Sequence, residues 1–281
     1  MKNTLGTTSI MLALVSVAAC SSGQDEGREE QKKHAAAPSV EQHSGDTGDK
    51  DKEHAVAHWG YEGAGGPQHW GDLKEEFAFC KTGKKQSPID ISTSAVSKAD
   101  LPAIEFHYQE APLSMVNNGH TIQVNYPAGS SIKVGDATYE LLQFHFHAPS
   151  EHTVDGKPFA MVAHLVHKSA EGNLGVVGVL MKEGNSNPAL EPLWKVMPKQ
   201  SGEKVDSKDI TVSASALLPE DRSYYSYSGS LTTPPCSEGV SWMVLKNPVE
   251  VSTEQVAALA ALFGNNARPV QELHDRTVSA N

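Results

Sequence analysis

The sequence is poor in positive charge, in cysteine and in long apolar runs. Its 23 Lys and Arg stand against 34 Asp and Glu, for a formal net charge of −11. That balance excludes nucleic acid as a ready partner, because the phosphate backbone is gripped by clustered basic side chains. Only three cysteines occur in 281 residues, so each is read separately. No apolar stretch after residue 20 is long enough to cross a bilayer. No segment repeats, which excludes a solenoid or propeller.

What is present begins with an export signal over residues 1–20. Lys2 supplies a sparse positive start, and Ile10 to Ala19 form an apolar run interrupted by Ser16, too short to span a membrane. It ends in Val17-Ala18-Ala19-Cys20, which resembles a bacterial lipobox with Cys20 as the lipidated residue; the rival is an ordinary signal peptide cut after a small-x-small triplet. The expected location is therefore the periplasm, or the outer membrane through a lipid anchor. An exported chain meets an oxidising compartment, so Cys80 and Cys236 form either a disulfide or two buried thiols, and the even count favours the bridge. Residues 21–55 carry almost no large apolar side chain and are expected to be a disordered charged tether. His34, His43 and His54 in it are solvated linker positions or weak zinc holders.

Aromatic and apolar residues recur from residue 56 onward, so 56–281 is expected to be one mainly β domain with a few short helices. Period-two runs and turn residues predict strands at Ser114–Tyr126, Ser130–Val134, Tyr139–His147, Ala160–His167, Leu174–Met181, Ile210–Val212 and Val240–Leu245. Helices are predicted at Thr253–Phe263, with Ser252 as N-cap, and at Pro188–Val196.

The most informative stretch is Leu142–His147. Gln143, His145 and His147 alternate with Leu142, Phe144 and Phe146. Residues two apart share a face on a strand and oppose each other on a helix, so His145 and His147 project together. In the next run, His164 shares a face with Val162 and Val166, and neighbouring strands lie about 4.7–4.9 Å apart. Three neutral imidazoles with an open fourth position have the composition of a catalytic zinc site. Taken alone, His-x-His is also compatible with a half-buried strand that tolerates histidine.

Around these residues the chain resembles the α-class carbonic anhydrases, in their exported bacterial form. The resemblance rests on Gln143–His152 and Ala163–His167, on Gln86-Ser87-Pro88-Ile89-Asp90-Ile91, on Asn117-Asn118-Gly119-His120, on Ser230-Leu231-Thr232-Thr233-Pro234-Pro235 and on Asn266-Ala267-Arg268-Pro269-Val270-Gln271. These islands keep family order across about 220 residues. The resemblance implies a twisted, mostly antiparallel central sheet with zinc at the floor of a conical cavity, and a disulfide between Cys80 and Cys236. It also implies reversible hydration of carbon dioxide to bicarbonate by a zinc hydroxide. His145, His147 and His164 would be the ligands, with Gln143 supporting His145; His152 and His167 fit a structural role better. Glu151 and Thr232 would orient the nucleophile, and His120 would shuttle protons along water held by Tyr61 and Asn118. Val166, Val176, Leu231, Thr232, Thr233 and Trp242 would receive the substrate. Partners are then the small-molecule substrate and, through Cys20, a membrane; the oligomeric state is left open.

One position departs from the family. Relatives place a glutamate two residues before the third ligand, where this chain has Val162, and valine accepts no hydrogen bond. Weaker zinc retention is expected. Two alternatives stand beside the enzyme: an acatalytic or low-activity binding domain of the same fold, and a zinc-storage lipoprotein.

Overall fold

Side-chain alternation along the central strands sends one set of residues to a core and the other to a second, smaller cluster. The computed structural model describes residues 58–281. The expectations on signal peptide, lipidation at Cys20 and tether histidines lie outside the described residues. The strands that matter are β1 (Ala111–Asn117), β2 (Ile122–Asn125), β3 (Ala137–His147), β4 (Met161–Ser169), β5 (Leu174–Glu183), β6 (Lys204–Val212), β7 (Tyr224–Ser230) and β8 (Glu238–Leu245). They pair in the order β6-β1-β2-β3-β4-β5-β8-β7 within a 13-stranded sheet. Pairing is antiparallel except where β5 meets β8 and Val249–Val251, and where Ser279–Ala280 meets Ser97–Lys98 at the edge. The architecture is the mostly antiparallel β fold expected.

On β4, Ala163 and Leu165 enter the main core, while Val162 enters the smaller cluster. On β5, Val177, Val179 and Met181 go to the first, and Val176 and Leu180 to the second. Phe144 and Phe146 are fully buried in the main core, which leaves His145 and His147 on the opposite face.

Strand β6 extends well beyond the predicted Ile210–Val212, and Ile104–His107 is an unpredicted strand; three further differences follow. The run Ser114–Tyr126 is two strands, β1 and β2, separated by a turn at residues 118–121. There Asn118 Oδ1 accepts the backbone N–H groups of His120 and Thr121, and Gly119 takes φ 88°, which glycine adopts without a Cβ clash. Within β3, Leu142 does not share the buried side of Phe144: it is 40% exposed. The register with β4 slips there, His167 facing Leu141 and Val166 facing Gln143. Leu142 is thus the extra residue of a β-bulge, which reverses the alternation upstream of it. Strand β7 escaped notice because its Tyr-Tyr-Ser-Tyr-Ser-Gly-Ser run lacks aliphatic residues. The two predicted helices form as α1 (Glu191–Val196) and α2 (Thr253–Phe263), and two single-turn helices lie at Trp70–Leu73 and Phe79–Thr82. Helix α2 starts in a capping box, Ser252 accepting from Gln255 N–H while Gln255 Oε1 accepts from Ser252 N–H.

Candidate metal centre and its relatives

Strand register brings the three histidines together. His164 on β4 lies opposite His145 on β3, and cross-strand partners on one face hold their Cβ atoms about 5 Å apart. Ring centroids are 5.1 Å apart for His145 and His147, 5.4 Å for His145 and His164, and 4.9 Å for His147 and His164. One nitrogen from each falls within 4.8 Å of the others, the one such histidine group among the described residues. Two Zn–N bonds end to end span about 4 Å, so small rotations suffice to share an ion.

The outer nitrogens have their own assignments. His145 Nδ1 meets Gln143 Oε1 at 2.8 Å, and His147 Nδ1 meets the Asn266 carbonyl at 2.7 Å. An acceptor at Nδ1 fixes the proton there and leaves Nε2 as the ligand atom. His147 Nε2 is buried without a hydrogen-bond partner, as a nitrogen meant for a metal would be. Burial, followed by the neighbouring His147, pushes the pKa values of His145 and His164 well below 6.5. Both are therefore neutral at pH 7, the form that binds metal.

Glu151 is fully buried beside them. Its Oε1 accepts the Arg268 backbone N–H at 3.0 Å. Its Oε2 lies 3.5 Å from His147 Nε2 and 3.7 Å from His164 Nδ1. Burial raises its pKa, opposed by His147, by the Arg268 N–H and by the Thr232 hydroxyl. Thr232 is itself buried, on a loop that the Cys80–Cys236 disulfide fastens to the start of the domain. The same loop is held by Ser87 N–H donating to Ser230 Oγ and by Gln86 Nε2 donating to the Cys236 carbonyl.

Above the floor is a cavity of about 130 Å³ lined by Trp59, Tyr61, Asn118, His120, Gln123, Gln143, His145, His147, Thr121 and Thr233. The His120 ring is stacked on Trp59, centroids 3.5 Å apart at 12°, with His58 5.5 Å away. Desolvation first, then His58, hold its pKa down to about 4. The Tyr61 hydroxyl is buried without a partner. Asn118 spends its oxygen on the turn that carries His120. Val166, Val176, Leu231 and Trp242 stand outside the lining of this cavity, together in the smaller apolar cluster, where Trp242 packs 4.9 Å from His164.

His152 and His167 point elsewhere. His152 Nε2 meets the Tyr227 hydroxyl at 2.7 Å, and His167 Nε2 meets that of Tyr108 at 2.7 Å.

A model of the eukaryotic-type carbonic anhydrase family matches residues 65–281. The chain belongs to that family. A carbonic anhydrase of Nostoc sp. is 47% identical over 228 residues, covering 79% of this chain and 86% of that relative. One from Klebsiella pneumoniae is 46% identical over 227 residues, covering 79% and 91%. The solved α-carbonic anhydrase of Thermovibrio ammonificans, in complex with the inhibitor sulfanilamide, is 50% identical with a TM-score of 0.77, covering 79% of this chain and 99% of that one.

Two residues of this carbonic anhydrase domain were missed as site residues. Asn266 anchors His147 through its carbonyl, while its side-chain Nδ2 donates to the His120 carbonyl at 3.0 Å. Arg268 places Glu151 and donates to Gln86 Oε1 and to the Ser87 and Cys80 carbonyls. Both lie in the Asn266–Gln271 motif, but nothing local to that motif says what it touches.

Proposed function

We propose that this chain is a zinc-dependent carbonic anhydrase, interconverting carbon dioxide with bicarbonate and a proton. The observation that carries the proposal is the convergence of three imidazole nitrogens beside a buried Glu151. His145, His147 and His164 would hold the ion. When bound, zinc lowers the pKa of a water to about 7, the value known for carbonic anhydrase itself, and so supplies a nucleophile at neutral pH.

The protein's own groups do the rest. Ionised Glu151 can only accept, so the Thr232 hydroxyl gives it its single proton and keeps its oxygen as an acceptor. That one-way arrangement orients the attacking group toward the substrate. Val166, Val176, Leu231 and Trp242 offer an apolar surface beside His164 for an apolar substrate, with Thr233 at the cavity wall. His120 takes the product proton to solvent, with Tyr61 and Asn118 at the cavity side. Acatalytic members of the fold typically lose a ligand histidine; here all three stand with Glu151 and Thr232. A zinc store calls for several loose ions rather than one compact group. Export and lipid attachment at Cys20 belong to the same proposal and are tested by metabolic labelling of wild type and Cys20→Ala with a fatty acid.

Stopped-flow hydration of carbon dioxide by the zinc-loaded protein tests the function, with a sulfonamide as control. Inhibitable, zinc-dependent turnover is expected. A metal-replete sample that leaves carbon dioxide at its uncatalysed pace refutes the proposal.

A further inference from the structure

Besides His147 Nε2, two buried imidazole nitrogens near the metal centre have no hydrogen-bond partner: His164 Nε2 and His152 Nδ1. They belong to rings whose centroids are 6.1 Å apart. His164 Nδ1 and His147 Nε2 approach the same Glu151 oxygen, so the two face one point and His164 Nε2 is directed away from it. A histidine that binds metal through Nδ1 must carry its proton on Nε2, and that N–H ordinarily finds an acceptor. An unsatisfied buried donor costs about 1–3 kcal/mol.

The residue that could serve is one pleat away. Val162 shares the face of β4 with His164 and is fully buried. It packs in one cluster with Tyr227 and Trp242, the same side chains that touch His152 on its other edge. Gln143 supports the first ligand and the Asn266 carbonyl the second; the third has no such support, and His152 Nδ1 is likewise without a partner.

We propose that Val162 makes the metal exchange readily, by withholding from His164 and His152 the one acceptor that a longer polar side chain at this position would present to both. The inference rests on the zinc reading above and goes further: residue 162 is a positioning residue that sets how long the metal stays. With the acceptor absent, the ligating tautomer of His164 is not selected and its ring orientation is held by packing alone.

The test is zinc release from the intact, zinc-loaded protein into excess chelator, compared among wild type, Val162→Glu, Val162→Gln and Val162→Leu. Glu and Gln are expected to slow release about 10–100-fold, the range for supporting partners of metal ligands, and Leu to leave it unchanged. In ¹⁵N-histidine spectra of the loaded protein, the His164 Nε2–H and His152 Nδ1–H signals should lack hydrogen-bonded shifts in wild type and gain them in Val162→Gln. A merely structural role for Val162 would move neither release nor these signals in that way. Release at the wild-type rate from folded Glu and Gln variants overturns the proposal, as do hydrogen-bonded shifts already present in wild type. Should neither variant fold, the wild-type spectrum decides alone. A wild type that takes up no zinc overturns the function as well; one that binds a single zinc and hydrates carbon dioxide, with release unaffected by residue 162, overturns this inference only.

Discussion

Replacing Trp59 with alanine should change the proton relay without touching the metal ligands. The indole covers one face of His120 at 3.5 Å, and desolvation is the first cause holding that imidazole's pKa at about 4, with His58 second. A donor with a pKa near 7 passes a proton to an acceptor of pKa about 4 with an equilibrium constant of about 10⁻³, a cost of about 4 kcal/mol. A His120 held on this stack would be a poor acceptor for the proposed relay. Without any relay, recombination near 10¹⁰ M⁻¹s⁻¹ caps proton release to water at roughly 10³ s⁻¹, against the ~10⁶ s⁻¹ that carbonic anhydrase attains. In Trp59→Ala the His120 pKa should rise toward about 6.5, read by NMR titration, and turnover in weak buffer should rise with it. His120→Ala should fall toward the cap in weak buffer and recover with added imidazole. If the His120 pKa stays near 4 without the indole, burial under Trp59 is not its cause. If His120→Ala turns over normally in weak buffer, His120 is not the relay.

Other outcomes follow from the same geometry. Thr232→Ala should lose about 10²-fold or more in turnover, as for a lost orienting hydrogen bond, while zinc content measured by mass spectrometry stays at one per chain. Acid should unfold the protein through its buried imidazoles: burial first holds His152 at about 3 and His167 at about 4. Below about pH 6.5 the unfolded chain binds the extra protons, so stability falls as pH drops, each group adding about 1.4 kcal/mol per pH unit until its folded pKa is passed. Urea midpoints that stay flat between pH 6.5 and 4 contradict this. Reduction of Cys80–Cys236, which closes a loop across a separation of 156 residues, should cost about 2–5 kcal/mol, seen as a lower denaturation midpoint in reductant.

The metal centre was legible because strand geometry is local. A period of two at His145 and His147, repeated at His164, fixes which side chains share a face before any partner strand is known. Helix α2 was legible for the same reason, since the Ser252–Gln255 cap is complete within four residues. What stayed hidden depends on distant chain. The Leu142 bulge exists only in the pairing of β3 with β4. Strand β7, all Tyr, Ser and Gly, has no aliphatic side to mark it, and becomes a strand by pairing with β8. Asn266 and Arg268 matter through groups more than a hundred residues away, and the indole stacked on His120 belongs to Trp59 on another segment.

The anchor of His147 on the Asn266 carbonyl also orders events in time. That carbonyl is made 119 residues after the imidazole it holds, and the N–H that steadies Glu151 comes 117 residues after the carboxylate. At about 5–20 residues per second, the ribosome needs some ~6–24 s to bridge either gap. Until then the half-built floor has loose rings and an unsteadied acid. A chain cut short before Asn266 would keep all three ligand histidines yet leave His147 and Glu151 without these two anchors.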